Sequence, residues 1–322
     1  PDEIILEGEA DSTITLRAQI LAPDGVTAYQ DGDEGTFLYT IRSTLAAPTA
    51  VPSTDTQGAT TVNVGDRIAL TSDPDTYIYY STNGSQPRVS WNEEEGLSCD
   101  TWNTEFTVLD DYRGLNANMH TVEAFLAAAD VTGDEKYRVR AGRIIDHVVG
   151  WAGANKWRIP EHFTKDWTPD LECNKEKPDD QFKPYGATPG HGIEWARLIV
   201  QWATSSYPDK KEEAEKYIRV SENLFCRAVE DAWNADGAPG IVYTTDWNGN
   251  PVVHDRMHWT LAEAINTSAV LYRVTGKQIY ADYYAQFMTY LDEKVLDHVN
   301  GSWFHQLDQN NQVIGTVWPG KS

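Results

Sequence analysis

Apolar residues recur with the 3.6-residue period of amphipathic helices over most of the chain after Glu93. The pattern predicts six helices in three consecutive pairs: Ala117–Ala129 with Lys136–Trp151, Gly190–Ser205 with Lys210–Trp233, and Met257–Val274 with Ile279–Val299. A Val-Thr-Gly-x-x-x-Tyr turn joins both the first and the third pair, so the hairpins form an internal repeat. Longer segments with strand and turn signals follow the pairs, at Trp157–Tyr185, Gly237–Pro251 and Gly301–Val317. The arrangement predicts a mainly α fold, an α/α toroid whose long connections lie on one rim.

Residues 1–88 follow a different pattern, in which short alternating runs are separated by Gly, Pro and Asp. This pattern predicts a small all-β module with strands at Thr13–Ile20, Thr36–Arg42, Thr60–Val64, Arg67–Thr71 and Tyr77–Ser81. The composition changes near the same boundary, because all twelve tryptophans lie at or after Trp91. We therefore expect two domains, a β-rich segment of residues 1–88 and a helical domain of residues 91–322.

The charge balance and the cysteine content argue against several classes of partner. The chain has 26 Lys and Arg against 49 Asp and Glu, a net charge of -23. This balance argues against nucleic acid or an anionic membrane surface as partner, and no apolar run is long enough to span a bilayer. The three cysteines are too few and too scattered for a disulfide framework or a zinc cluster.

Polar residues open the first helix of each predicted pair. They are Asn116 and His120 in the first pair, His191 and Glu194 in the second, and His258, Trp259 and Glu263 in the third. If these helices run in parallel around a ring, their N-termini converge on one mouth. Helix N-termini favour developing negative charge, and histidine suits proton transfer beside a carbonyl. Aromatic faces with polar side chains bind sugars, so the mouth predicts a monosaccharide substrate.

Other kinds of site fit these residues less well. The chain has neither His-Glu-x-x-His nor a closely spaced histidine pair with a carboxylate, so we expect no metal and no cofactor. Glu194 and Glu263 could be the two carboxylates of a glycosidase, but two helical glutamates are weak evidence for one. A serine or cysteine nucleophile elbow is absent from the sequence.

Several separate motifs carry a resemblance to a known family. They are Asn116–His120, Glu161-His162-Phe163, Thr188–His191, Glu194-Trp195, Trp259 with Ala262-Glu263-Ala264, and Gly301–His305. Over about residues 91–322 the chain resembles the N-acylglucosamine 2-epimerase superfamily, and within it the aldose–ketose isomerase branch. The resemblance implies an (α/α)6 barrel with a sugar pocket in its mouth. It also implies proton transfer between C2 and C1 of the opened sugar through a cis-enediol.

The resemblance implies a role for each candidate residue. His191 is an acid/base histidine, and Glu194 orients either His191 or the substrate. Asn116 and His120 bind near the anomeric centre and assist ring opening. The substrate also contacts residues of the pocket wall, namely Trp259, Glu263, His305 and Gln181. Gln181 stands where sulfosugar members carry an arginine, so we expect the site to prefer a neutral aldose.

Two further departures from the family's pattern affect the expected barrel. A Tyr-His pair that follows Trp-x-Gly-Lys in the family, and supplies its other acid/base, does not occur before Ser322. The family's first helices are replaced by the β-rich segment. We therefore expect an incomplete barrel and little activity from this chain alone. We also expect exposed apolar helix faces, such as those that bear Phe125 and Leu126, and a tendency to self-associate.

The β-rich segment resembles the chitobiase C-terminal type of β-sandwich repeat, through Thr13–Ala18 and Tyr77–Pro87. The barrel family is usually cytoplasmic, whereas such repeats accompany secreted proteins, so the localisation stays open. The favoured function is a sugar isomerase of the mannose-to-fructose type. The alternatives are an N-acylglucosamine or aldose 2-epimerase, and a non-catalytic carbohydrate-binding protein.

Overall fold

The computed structural model describes residues 13–18, 35–40, 49–51, 69–71, 91–99, 102 and 109–314. The chain divides into two compact units, Pro1–Arg88 and Val89–Ser322. Among the described residues, no helix combines the length and the apolar character that crossing a membrane requires.

Four described strands of the first unit form two antiparallel pairs. They are β1 (Thr13–Ala18), β2 (Gly35–Thr40), β3 (Thr49–Val51) and β4 (Ala69–Thr71). β1 pairs with β2, with Thr13 opposite Thr40, and β3 pairs with β4, with Thr49 opposite Thr71. The sequence pattern did not predict β3. The predicted strands at Thr60–Val64 and Tyr77–Ser81 lie outside the described residues.

The second unit contains the three predicted helical hairpins. They are α1 (Leu115–Thr132) with α2 (Lys136–Ala154), α3 (Pro189–Ser206) with α4 (Lys211–Ala232), and α5 (His258–Thr275) with α6 (Gln278–Tyr290). The repeated Val-Thr-Gly turns end α1 and α5 in the same way, because Gly133 (φ 71°) and Gly276 (φ 67°) are both left-handed C-caps. Each hairpin packs its two helices together, and α3 contacts both α1 and α5. The first helices of the three hairpins therefore form one continuous layer.

The last predicted helix is shorter than its periodicity suggests. A π-helical turn, Leu291–Val295, follows α6, so the prediction of one helix through Val299 is wrong. Leu296 is extended and pairs with Trp303. The Asp297 carboxylate then accepts hydrogen bonds from the backbone N–H groups of Val299 and Asn300, which forms a turn in place of a further helical turn.

Short antiparallel strand pairs anchor the connections of the second unit. They are β5 (Trp91–Asn92) with β6 (Leu97–Ser98), β7 (Arg113–Gly114) with β8 (His162–Phe163), β9 (Thr244–Thr245) with β10 (Pro251–Val253), and β11 (Arg256–Met257) with β12 (Gln306–Leu307). β7 leads directly into α1 and β11 into α5, while Ala187, just before α3, pairs with Thr245. Each first helix therefore begins at a residue that a strand contact holds in place.

The expectation that Phe125 and Leu126 lie on an exposed apolar face is wrong. Leu126 is only 2% exposed, and the half-buried Phe125 ring packs edge-to-face on Trp91 at a centroid distance of 5.2 Å. The β5–β6 segment contacts α1 and supplies this cover. Exposed apolar side chains of α5 and α6 include Tyr272, Ile279, Tyr284 and Met288. Self-association stays a prediction.

Candidate active site

A cavity of about 790 Å³ opens at the starts of α1, α3 and α5. All eight residues that the sequence analysis named for the site line this cavity: Asn116, His120, Gln181, His191, Glu194, Trp259, Glu263 and His305. The side chains come from three helix starts and from two connections that are far apart in the sequence. A volume of this size accommodates a monosaccharide.

His191 lies in the first turn of α3, where Pro189 occupies the first helical position. Its Nδ1 atom is 3.0 Å from Oε2 of Glu161, and its ring packs on Trp259 at a centroid distance of 5.1 Å. Burial alone would lower the pKa of His191, but the charge and the hydrogen bond of Glu161, together with the charge of Glu194, outweigh burial and raise this pKa. Because a carboxylate only accepts hydrogen bonds, Nδ1 carries the proton and Nε2 is left as the basic nitrogen.

The hydrogen-bonding partner of His191 is therefore Glu161 and not Glu194, which the sequence analysis had offered as the residue that orients His191 or the substrate. Glu194 lies one turn further along α3 and is 6% exposed. Burial raises the pKa of Glu194 to about 7, and the nearby Glu263 carboxylate adds to this effect. Glu194 is therefore a carboxyl group that both holds and releases a proton near neutral pH.

Arg197 links the carboxylates of the three first helices. Its Nε is 2.8 Å from Glu263 Oε2 on α5, and its Nη2 is 3.0 Å from Glu123 Oε1 on α1. Glu194 Oε1 lies 3.7 Å from the same Nη2. One guanidinium thus compensates the negative charge at the base of the cavity, and it fixes the relative positions of the helices that carry these carboxylates.

Asn116 and His120 lie on the exposed side of α1, and His120 Nδ1 is 2.9 Å from Glu123 Oε2. His120, Glu123 and Glu194 each place one potential metal-ligand atom within 4.8 Å of the others. Arg197 already supplies positive charge to both of these carboxylates. The donor set is therefore poorly suited to an added cation, and the absence of a metal cofactor stays a prediction.

The cavity lining also contains two stacked histidines. The rings of His258 and His305 are 4.7 Å apart at their centroids, with an angle of 22° between their planes. Nδ1 of His258 lies 3.2 Å from the backbone oxygen of His305 and donates to it, so Nε2 is again the basic nitrogen. Burial lowers the pKa of His258, which favours its neutral form.

Several residues of the cavity wall were not among the predicted site residues. His162 is buried. Its Nδ1 accepts a hydrogen bond from the Tyr112 hydroxyl, and its Nε2 donates one to the Pro184 backbone oxygen; both distances are 2.8 Å. Both ring nitrogens are thus used for structure. The Lys183 ammonium lies 3.6 Å from the centroid of the Tyr112 ring. The cavity lining therefore includes a cation at Lys183, two positions after Gln181 in the sequence. The Glu-His-Phe motif was the signal for Glu161 and His162, but it indicated no role.

Comparisons with known proteins identify relatives of this chain. The profile of the family described as N-acylglucosamine 2-epimerase (GlcNAc 2-epimerase) matches residues 66–322. The D-mannose isomerase of Pseudomonas cannabina pv. alisalensis is 41% identical over 232 residues, which are 72% of this chain and 56% of that protein. The D-mannose isomerase of Thermobifida fusca is 41% identical over 233 residues, with the same coverage of 72% and 56%. The chain thus spans about half the length of the curated relatives it matches.

Solved structures give a consistent result. A crystal structure of D-mannose isomerase aligns with a TM-score of 0.64 at 30% identity, over 69% of this chain and 56% of that one. Cellobiose 2-epimerase from Spirochaeta thermophila DSM 6192 aligns with a TM-score of 0.57 at 16% identity, over 72% and 57% of the two chains. At that identity the second match indicates a shared fold only.

Proposed function

Because the chain belongs to the N-acylglucosamine 2-epimerase family, we propose that its second unit carries the site of an aldose–ketose isomerase that interconverts mannose and fructose. The relatives that are 41% identical are named D-mannose isomerases, which supports this substrate class over a 2-epimerase. The chain spans about half of their length, so the activity is proposed for the site rather than carried over from the whole relatives.

One observation carries the proposal. His191 presents its basic Nε2 to a sugar-sized cavity while Glu161 holds its Nδ1, and the buried carboxyl of Glu194 lines the same cavity. An imidazole base held in one tautomer and a carboxyl acid whose pKa is raised to about 7 are the groups that enolisation beside a carbonyl requires. A binding protein would need the polar contacts, but it would not need such a pair.

The proposed reaction moves two protons. In the open-chain aldose, Nε2 of His191 takes the proton from C2, and the C–H electron pair becomes the C1=C2 double bond of a cis-enediol. Glu194 supplies a proton to the carbonyl oxygen at C1. The protonated His191 then returns the first proton to C1, while the Glu194 carboxylate takes the proton from O2, which gives the ketose and restores both side chains. Asn116 and His120 on α1 bind the anomeric end, and Trp259 offers an aromatic face to the sugar ring.

The three hairpins are proposed to be part of an (α/α)6 barrel. In this arrangement α1, α3 and α5 are the inner helices, and α2, α4 and α6 are the outer ones. The contacts of α3 with α1 and α5 support this assignment, as does the shared fold of the cellobiose 2-epimerase. Residues 1–88 are proposed to be a separate β-rich domain, and residues 91–322 a barrel domain.

Incubation of the full chain with D-[2-13C]mannose tests the function, because 13C NMR distinguishes all three candidates. The isomerase converts the label into C2 of fructose. A 2-epimerase yields C2 of glucose, and a binding protein leaves the label in mannose while its resonance broadens. We expect fructose as the product, even where conversion is slow; glucose as the first product, or unchanged mannose, would contradict the proposal.

A further inference from the structure

Glu161 is held rigidly beside His191. It directly precedes β8, and its backbone oxygen accepts a hydrogen bond of 3.1 Å from the N–H of Leu115, the first residue of α1. The next residue, His162, pairs with Gly114 in the β7–β8 ladder. With only 7% of its surface exposed, Glu161 has little room to move away from the imidazole.

The two carboxylate oxygens of Glu161 are unequally satisfied. Oε2 accepts the hydrogen bond of His191, whereas Oε1 is buried and has no hydrogen-bond partner within the described part of the chain. In that same part, His191 is the single ion-pair partner of Glu161. A buried and half-satisfied carboxylate raises the free energy of the resting site. That cost falls when the neighbouring imidazole becomes positively charged.

We propose that Glu161 is a positioning residue, which fixes His191 with its proton on Nδ1 and stabilises the imidazolium that forms when Nε2 takes the sugar proton. The role rests on the proposed function, in which His191 carries the proton from C2 to C1. No proton is transferred to Glu161 in this scheme. The carboxylate interacts more strongly with the charged imidazole than with the neutral one, so it lowers the barrier for proton abstraction.

The surrounding residues are consistent with this role. Trp259 packs on the His191 ring and limits its rotation. Tyr243, which also lines the cavity, has its pKa raised to about 12 by burial and then by the negative charge of Glu161. Glu194 is near enough to influence His191 electrostatically, but its ion pair among the described residues is with Arg197, at 3.7 Å. Glu161 is thus the carboxylate that makes the directed hydrogen bond.

The first test uses NMR of the 15N-labelled full chain and needs no catalysis. The resonances of His191 are assigned by their loss in His191→Ala. At pH 9 the unmodified chain should show His191 protonated at Nδ1 and bare at Nε2. The opposite tautomer would overturn the proposal, and this result is independent of whether any Glu161 variant folds.

The second test titrates His191 in Glu161→Gln, which keeps an acceptor oxygen but removes the charge. We expect the pKa of His191 to fall by at least one pH unit, since a contacting carboxylate raises such a pKa by roughly one to three. Glu172→Gln, at an exposed carboxylate of the same connection, should leave it within about 0.3 of the wild-type value. An unchanged His191 pKa in a folded Glu161→Gln variant would overturn the proposal.

Kinetics then separate positioning from binding. With mannose, Glu161→Gln should lower kcat by roughly 10²- to 10⁴-fold and change KM by less than about threefold. A rise in KM at constant kcat would overturn the assigned role. If the wild-type chain does not convert mannose, the proposed function fails, and the two NMR tests still decide whether Glu161 sets the tautomer and charge of His191.

Discussion

Replacing Glu194 with glutamine should stabilise the second unit at pH 8 and leave its stability almost unchanged at pH 4. Burial and the neighbouring Glu263 carboxylate raise the pKa of Glu194 from 4.5 to about 7 in the folded chain. A carboxyl group with a raised folded pKa binds its proton more tightly when folded. Its stabilising contribution is therefore complete below about pH 4.5 and is lost as the pH rises through about 7.

The size of the effect follows from the two pKa values. The two pKa values differ by about 2.5 pH units, and each unit corresponds to roughly 1.4 kcal/mol. Ionising Glu194 in the folded state therefore costs about 3 kcal/mol. Glutamine has a similar shape and does not ionise. The unfolding free energy of Glu194→Gln should thus equal that of the wild type at pH 4 and exceed it by about 3 kcal/mol at pH 8.

Urea unfolding followed by tryptophan fluorescence measures this difference, because all twelve tryptophans lie at or after Trp91 and report on the second unit. Glu172→Gln is the matched control, since its side chain is 65% exposed and should show no pH-dependent gain. A Glu194→Gln difference that stays constant between pH 4 and pH 8 would refute the assignment of Glu194 as a carboxyl group with a raised pKa. Loss of isomerase activity in the same variant is expected, because glutamine cannot donate a proton to the sugar.

Three further predictions concern the cavity lining and the residues that contact it. Gln181→Arg should raise kcat/KM for an aldose with an anionic group at C6 relative to mannose by about tenfold or more, because a guanidinium pairs with sulfonate or phosphate oxygens; competition kinetics with both sugars would reveal an unchanged ratio. Gly190→Ala should raise KM for mannose and destabilise the unit by roughly 1–3 kcal/mol, since its Cβ would lie 2.7 Å from the Trp259 ring; unaltered kinetics and urea midpoint would show that the helices adjust freely. Arg197→Met should destabilise the unit by about 2 kcal/mol at pH 7, less than for a fully buried pair because Glu123 is partly exposed, and by less at pH 4; equal losses at both pH values in urea titrations would argue against an ionic role.

The helical hairpins could be predicted because their information is local. Apolar periodicity marks each helix, and the Val-Thr-Gly turn marks the ends of α1 and α5. Gly133 and Gly276 end these helices in the left-handed conformation, which glycine adopts more easily than other residues. The strands of the second unit, two or three residues each, are too short to produce an alternating pattern. The π-helical turn after α6 also escaped prediction, because its apolar positions continue the helical period while Asp297 sets the turn through side-chain hydrogen bonds.

The polar residues of the cavity could be predicted by type more easily than by partner. His191 and Glu194 were recognisable because they are polar residues at the start of an otherwise apolar helix. Contacts between distant residues were not recognisable, because Glu161 lies 30 residues from His191 along the chain and Glu263 lies 66 residues from Arg197. Periodicity identifies the face of a helix that is buried, but only the packed structure determines which carboxylate meets which cation.

The central claim is that His191 transfers the sugar proton, and conversion of mannose to fructose by the wild-type chain, His191→Ala and His298→Ala measures it most directly. His298 is the matched control, because its side chain is 63% exposed and lies outside the cavity lining. We predict that the wild type and His298→Ala form fructose at equal rates. His191→Ala should bind mannose with similar affinity and form fructose roughly 10²- to 10⁴-fold more slowly. Fructose formation by His191→Ala at the wild-type rate, or none by the wild type, would contradict the account.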